Sequence, residues 1–415
     1  MMEQLVEQVE KEIETQIKQI ENVAQLNQKR VLDAFRNNKV SDSHFNSTTG
    51  YGYDDYGRET LEAVYAEVFG AEDALVRPQI VSGTHAITIS LFGLLRPHDE
   101  LMYITGKPYD TLEEVVGTRG DNNGSLKDYH IDFTAVDLTE KGEINWNEIT
   151  RKITKKTKVI GIQRSKGYDD RPSFTVEEIA DMIRFVKEID PNMIVFVDNC
   201  YGEFVETIEP THVGADLIAG SLIKNPGGGI ARTGGYIVGR QQYIRQAANR
   251  LTAPGLEKET GATLGMLQEM FQGLFLAPHT VSEALRGSVF TSRLLALLGF
   301  KTSPSYQDKR TDLIQSVNFN TAEQMVAFCQ AVQKASPVNA HVTPYPAPMP
   351  GYENDVIMAA GTFIQGASLE LTADGPIRPP FTAFVQGGLI YVHVKIAIIE
   401  AITHLQEQGY IKLNE

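Results

Sequence analysis

A lysine that follows a short apolar run is the residue in this sequence best suited to covalent chemistry. Residues 217–219 predict a buried strand, which leads through Ser221 to Lys224 and a turn rich in proline and glycine. A partly desolvated lysine keeps some neutral amine near neutral pH, and a Schiff base to pyridoxal phosphate requires that form. Lys-Asn-Pro-Gly-Gly is also a good turn sequence, so the lysine alone leaves a purely structural role open.

An aspartate follows a second apolar run. Residues 193–197 predict a strand that is buried on both faces, as in a parallel sheet, and Asp198 comes directly after it. Because open α/β sheets bind ligands at the carboxyl ends of their strands, Asp198 is a candidate ligand-binding carboxylate. A carboxylate in this position can equally cap a helix, and that alternative stays open.

One further segment could bind an anion, and another offers an aromatic ring. Ser82, Gly83 and Thr84 form a turn of small residues before an apolar helix, where free N–H groups and the helix dipole favour a phosphate. The same residues also suit ordinary N-capping. Tyr109 lies in a turn after the predicted strand 100–104 and offers an aromatic face.

Pyridoxal phosphate accounts for these separate features together. The cofactor needs an amine for its aldehyde, a carboxylate for its ring nitrogen, an aromatic side chain over its ring and an anion site for its phosphate. Lys224, Asp198, Tyr109 and the turn that begins at Ser82 supply these groups in that order. The sequence therefore predicts a pyridoxal phosphate site at the ends of consecutive strands.

The predicted elements place these residues in an α/β fold. Strands and helices alternate through the middle of the chain, which predicts a mostly parallel sheet with right-handed crossovers. Residues 3–36 precede this region and predict one long amphipathic helix, because their apolar residues recur at mostly three- and four-residue steps. Residues 41–58 predict a loop that is rich in tyrosine.

The later part of the chain predicts a second, smaller α/β unit. Long helices are predicted over 261–271 and 281–298, and shorter strands and helices follow them. We therefore expect three parts in the order of the chain: an N-terminal helical arm, a cofactor-binding large domain, and a C-terminal small domain with its connecting helix. Their predicted ranges are 1–45, 46–275 and 276–415.

Composition excludes several classes of protein. A formal net charge of -15 argues against a surface that binds nucleic acid or an anionic membrane. The 2 cysteines, Cys200 and Cys329, fit a reducing compartment and disfavour a zinc site, so no metal is predicted. No signal peptide and no apolar run of about 18 residues is evident, which predicts a cytoplasmic protein.

Several short motifs in the chain match those of one enzyme family. They are Tyr56-Gly-Arg58, Ser82-Gly83-Thr84, Tyr109-Asp-Thr, Val197-Asp198-Asn199 and Ser221-x-x-Lys224. With them the chain resembles the fold-type I pyridoxal phosphate enzymes, specifically the cystathionine and methionine lyase (Cys/Met metabolism) family. It is most similar to the bacterial branch of aluminium-resistance proteins that are cystathionine β-lyase-like.

The resemblance implies a function and an assembly. Lys224 would hold the cofactor and act as the base, Asp198 would bind the ring nitrogen, and Tyr109 would stack on the ring. Ser82, Gly83, Thr84 and Ser221 would bind the cofactor from the same chain, and Tyr56 and Arg58 would reach the phosphate of a neighbouring subunit. The implied enzyme is a carbon–sulfur lyase for a small sulfur-containing amino acid, working as a homodimer or homotetramer.

The same groups also fit other functions, and the sequence departs from the family pattern in places that bear on the substrate. An aldolase or aminotransferase of the same fold would use the same groups, and so would a protein that binds the cofactor without catalysis. Ile223 stands where the family usually has a phosphate-binding threonine, and the segment 163–168 departs from the family pattern. No motif marks the arginine for the substrate carboxylate, and Arg378 is the candidate by its position alone.

Overall fold

A long N-terminal helix leads into the fold. The structure, a computed structural model, describes residues 2–121, 123–350 and 352–412. Helix α1 spans Met2–Asn37 and buries a stripe that includes Val9, Ile13 and Val31. The predicted amphipathic helix is confirmed, and its apolar stripe packs along a helix of the core, α8 (Leu267–Leu297).

A mixed sheet of seven strands forms the centre of the large domain. In sheet order β1-β7-β6-β5-β4-β2-β3, all neighbours are parallel except β7, which runs antiparallel to β1 and β6. The predicted parallel core is therefore confirmed. The strands are β1 (Asp73–Arg77), β2 (Glu100–Tyr103), β3 (Asp132–Ala135), β4 (Thr157–Gln163), β5 (Ile194–Asp198), β6 (Leu217–Ser221) and β7 (Gly235–Gly239).

Helices between these strands belong to the large domain. A capping box starts the helix that begins at Val176, with the Thr175 hydroxyl accepting the Glu178 N–H at 3.1 Å. Residues 41–58 are not one continuous loop, because the first turn of α2 already includes Tyr56 and Arg58. The helices are α2 (Tyr56–Val68), α3 (Gly83–Leu94), α4 (Asp110–Val116), α5 (Trp146–Lys152), α6 (Val176–Ile189) and α7 (Gln241–Leu251).

A single helix replaces the two that the sequence predicts after residue 261. Helix α8 continues through Pro278, which is buried within it. A proline in a helix interior removes one hydrogen bond and crowds the preceding turn, but burial along most of α8 outweighs that cost. The separation predicted between residues 271 and 281 is therefore wrong, and the predicted domain boundary at 275/276 falls inside this helix.

An antiparallel sheet of five strands forms the small domain. Its order is β10-β11-β12-β9-β8, and α9 and α10 pack against each other beside it. The sequence analysis identified neither β8 nor β12. The elements are β8 (Lys301–Ser303), β9 (Gln315–Asn318), α9 (Ala322–Lys334), β10 (Val356–Ala359), β11 (Thr372–Pro376), β12 (Thr382–Gln386) and α10 (Tyr391–Glu407).

Candidate active site

A cavity opens where three parallel strands end beside the start of α3. The strands are β4, β5 and β6, and the space, including solvent at its mouth, is about 680 Å³. This is the edge of the sheet where ligands bind in open α/β folds. Seven of the predicted site residues line the cavity together: Ser82, Gly83, Thr84, Tyr109, Asp198, Ser221 and Lys224.

Lys224 is held by the turn that follows β6. The neighbouring Asn225 is fully buried and donates its amide to the carbonyls of Tyr201 and Glu203, at 3.0 Å and 2.9 Å. This anchor places the partly buried lysine with its Nζ 3.9 Å from the centre of the Tyr201 ring. Gly227 is required in the turn, because a Cβ there would come within 1.6 Å of the Leu222 carbonyl oxygen.

Charges around Lys224 govern its protonation. Burial disfavours the ammonium form, but the neighbouring acidic groups Cys200, Tyr201 and Asp198 raise the pKa of the amine above its ordinary value. The resting amine therefore carries a proton. Pairing the charge of Asp198 with another cation would lower the pKa of Lys224 towards the neutral amine that a base or nucleophile needs.

Asp198 is the last residue of β5 and is buried. Its neighbours across the sheet are Gln163 of β4 and Ala219 of β6. Burial raises the pKa of the Asp198 carboxyl, whereas the charge of Lys224 and the Cys200 N–H, which donates to Oδ1 at 3.1 Å, oppose that shift. A buried carboxylate that faces a cavity is suited to pair with a cationic group of a ligand.

The start of α3 forms another wall of the cavity. Ser82 accepts the His85 N–H at 3.0 Å, so the ordinary N-cap does form. Helix geometry still leaves the N–H groups of Gly83 and Thr84 without partners inside the helix, which is what an anion site requires. Gly83 packs so closely that a Cβ there would lie 3.1 Å from the Cys200 sulfur.

Tyr109 lies across the cavity at the start of α4. Its ring sits against Gly167, where an added Cβ would come within 2.8 Å of the ring. Its hydroxyl and that of Tyr352 share a hydrogen bond of 2.6 Å. Burial raises the pKa of Tyr109 well above its usual range, so the phenol keeps its proton.

These groups fit pyridoxal phosphate by their chemistry. One cavity contains an amine, a buried carboxylate, an aromatic ring and a helix start with free N–H groups, and the cavity is large enough for a small cofactor with its substrate. Within the described ranges, no group of three or more His, Cys, Asp or Glu side chains could hold a metal ion. No helix in the same ranges is long and apolar enough to cross a membrane.

Comparison with known proteins gives the family. The sequence model described as methionine gamma-lyase matches residues 2–406. The chain belongs to the methionine γ-lyase family. This membership confirms the resemblance that the sequence analysis inferred.

Close relatives cover almost the whole chain. YnbB of Bacillus subtilis is 64% identical over 413 residues, which is 98% of each chain. A structure from Listeria innocua is 62% identical with a TM-score of 0.95, covering 97% of this chain and 99% of that one. A structure from Clostridium novyi, named a carbon–sulfur lyase involved in aluminium resistance, is 46% identical with a TM-score of 0.93, covering 97% and 96%.

A more distant structure confirms the fold class. Escherichia coli YhfS, described as a pyridoxal-5′-phosphate-dependent protein, has a TM-score of 0.61 at 17% identity, and it covers 92% of this chain and 97% of its own. At this identity the likeness concerns the fold alone. The methionine γ-lyase family member described here thus has the predicted α/β fold of the fold-type I enzymes.

Three of the predicted site residues lie outside the cavity. Tyr56 is 52% exposed on the surface. Arg58 is buried and donates to the backbone carbonyls of Gly52, Gly261 and Glu259, at 2.6 Å, 3.0 Å and 3.3 Å. Arg378 lines a neighbouring cavity, which is separated from the first by the segment that contains Gly167 and Tyr168.

Several cavity residues were not predicted. Gln163 ends β4 and Ser165 follows it, while Tyr201 and Ile223 lie shortly after β5 and β6. Each of these residues lies at or shortly after the end of a buried strand, and that pattern could have identified them from the sequence. Below the cavity, Glu203 accepts the Tyr236 hydroxyl at 2.6 Å, and burial raises its pKa to about 8.

Proposed function

We propose that this protein is a pyridoxal phosphate-dependent carbon–sulfur lyase that acts on a sulfur-containing amino acid. The observation that carries the proposal is the meeting of Lys224 and Asp198 in one cavity with the open start of α3. Membership of the methionine γ-lyase family supports this reaction class over the other reactions that the same groups could perform.

Each cavity residue has a role in this proposal. Lys224 would hold the aldehyde carbon of the cofactor and Asp198 its ring nitrogen. The phosphate would lie at the start of α3, where Ser82 and Thr84 flank Gly83, with Ser221 beside it. When bound, the cofactor supplies an electron sink for a negative charge at the substrate Cα.

Side chains of the protein carry out the proton transfer. Lys224 Nζ takes the proton from the substrate Cα, and this requires the neutral amine. The charge of Asp198, once paired with a protonated ring nitrogen, no longer raises the pKa of Lys224. Loss of the thiolate breaks the carbon–sulfur bond, and the proton that Lys224 accepted from Cα would pass to the departing sulfur. The Tyr109 ring, which lines the same cavity, would stack on the cofactor ring.

A substrate screen tests the reaction class. Purified holoprotein is incubated with L-cystathionine, L-cysteine, L-methionine or L-allo-threonine, and the release of keto acid, thiol and aldehyde is measured. We expect thiol together with keto acid from at least one of the sulfur amino acids, and none with the Lys224→Ala variant. Aldehyde from L-allo-threonine alone would indicate an aldolase, and a single transamination half-reaction would indicate an aminotransferase; either result would contradict the lyase.

We also propose that two subunits share each site. Tyr51 and Tyr53 stack with their ring centres 5.3 Å apart on an exposed loop, and the Gly261 N–H donates to the Tyr51 carbonyl at 2.8 Å. This contact joins the loop to a second one that exposes Leu264, with Tyr56 nearby. Exposed aromatic and apolar side chains on two joined loops suit a contact with a second copy of the chain.

Within that surface, Tyr56 is the better group for a test across the interface. Arg58 remains the predicted phosphate ligand of the neighbouring site, since arginine binds phosphate with charge-assisted bonds. In its own chain, however, the same guanidinium holds three backbone carbonyls. Replacing it would disturb the loop as well as any phosphate contact, whereas Tyr56 is exposed.

Mixing two inactive variants is expected to restore activity. Tyr56→Ala and Lys224→Ala should each be strongly impaired, but a mixed dimer has one site with an intact lysine and an intact tyrosine. Random pairing then gives about a quarter of the parent activity. Exchange is verified by native mass spectrometry, and Tyr345→Ala replaces Tyr56→Ala in the control mixture. Confirmed exchange without any recovery would show that Tyr56 does not act across an interface.

A further inference from the structure

A tyrosine of the small domain contacts the candidate active site directly. Tyr352 follows the proline-rich segment 343–350, and its hydroxyl lies 2.6 Å from that of Tyr109. The two rings meet edge to face, with centres 6.4 Å apart and planes at 85°. A residue 243 positions away in the chain is thus the hydrogen-bond partner of a residue that lines the cavity.

Neighbouring aromatic rings fix Tyr352 in place. The Tyr168 ring lies 5.6 Å from that of Tyr352 and 6.0 Å from that of Tyr109. On its other side Tyr168 packs against the buried Phe384 of β12, at 5.1 Å. The Tyr352 hydroxyl is therefore carried on a packed group of rings that belongs to both domains.

Burial and nearby acidic groups keep both hydroxyls of this hydrogen bond protonated. Burial raises the pKa of Tyr352 to about 12, while its bond to Tyr109 opposes the shift. The acidic groups that face the pair are Asp374 of β11, Asp110 of α4 and the phenol of Tyr201. A carboxylate at either aspartate disfavours a phenolate, and burial acts in the same direction, so both hydroxyls keep their protons near neutral pH.

We infer that Tyr352 is a positioning residue, whose hydroxyl fixes the Tyr109 ring and hydroxyl against the bound cofactor and substrate. The inference rests on the proposed function, because it assumes that Tyr109 faces the cofactor. It makes the small domain part of the active site. Without this partner, the Tyr109 hydroxyl has to find another hydrogen bond, and the ring has to move to reach it.

The test removes one oxygen and keeps the ring. Tyr352→Phe preserves the packing against Tyr168 and deletes the hydrogen bond to Tyr109. We expect kcat to fall about tenfold, as for one lost hydrogen bond, with KM within about twofold of the parent. The visible circular dichroism of bound pyridoxal phosphate should change as well, because the ring beside it has moved. Tyr345→Phe is the control, since Tyr345 lies in the same proline-rich segment but is 70% exposed.

A double variant separates positioning from packing. In a Tyr109→Phe background, Tyr352→Phe should cause no further loss, because the bond is already absent. An equal tenfold loss in both backgrounds would overturn the inference, since Tyr352 would then act independently of Tyr109. Parent-like kcat and dichroism in Tyr352→Phe, with impairment only in Tyr352→Ala, would reduce Tyr352 to a packing role.

The dichroism also keeps this test apart from the test of the lyase. If the holoprotein binds pyridoxal phosphate but releases no thiol from any amino acid, the proposed reaction is wrong. The dichroism alone then tests the positioning role of Tyr352. A change shared by Tyr352→Phe and Tyr109→Phe, and absent from Tyr345→Phe, would still support the positioning role. An unchanged spectrum in Tyr352→Phe would overturn it, and failure to bind pyridoxal phosphate would overturn both proposals.

Discussion

Lys224→Ala is expected to lose turnover by on the order of 10⁴-fold or more while keeping the fold. The variant removes the covalent attachment of the cofactor and the base for the Cα proton together. Folding should survive because the turn is anchored by the neighbouring Asn225 and not by the lysine side chain, which contacts the face of the Tyr201 ring. Steady-state thiol release and far-ultraviolet circular dichroism measure the two effects.

A second lysine provides the matched control. Lys158 lies on β4 of the same sheet but is exposed, so Lys158→Ala should keep parent-like activity. If Lys224→Ala kept more than about a tenth of the parent turnover, neither the attachment nor the base could depend on Lys224.

Asp198→Asn is expected to lower kcat by about 10²- to 10⁴-fold. Asparagine keeps the size of the side chain and can still accept the Cys200 N–H, but it cannot hold a proton on the ring nitrogen by charge. Cofactor affinity should fall less than kcat, since the other contacts to the cofactor remain. Titration with pyridoxal phosphate and steady-state kinetics on the same preparation give both values.

An Asp198→Asn variant with near-parent turnover would show that Asp198 has no catalytic role. Turnover within a few-fold of the parent would mean that the carboxylate only stabilises the segment after β5. Asp312→Asn is a comparison with a second buried aspartate, one that accepts the Ser165 hydroxyl at 2.7 Å. It should alter stability more than the visible spectrum of the bound cofactor.

Local sequence patterns predict most of the cavity because its residues follow buried strands. An apolar run directly before Asp198, and another shortly before Lys224, mark the ends of β5 and β6, and small residues mark the start of α3. Parallel strands bring such ends to one edge of the sheet, so the pattern predicts a meeting in space as well as the individual elements.

Features that depend on tertiary packing could not be predicted in this way. No local pattern connects Tyr352 with Tyr109, because their contact depends on how the small domain packs on the large one. Pro278 is accommodated inside α8 through burial of the helix, which overrides the usual effect of proline. Arg378 was placed by position alone, and the structure finds it in the neighbouring cavity, where it donates to Asn354 at 3.3 Å.

The central claim, that Lys224 carries the cofactor, is tested most directly by chemical fixation. The holoprotein is reduced with borohydride, digested and mapped by mass spectrometry, with Lys224→Ala treated in parallel. We predict a single phosphopyridoxyl group on the peptide that contains Lys224, and none in the variant. A reduced adduct on another lysine, or a holoprotein that yields no adduct, would contradict the account.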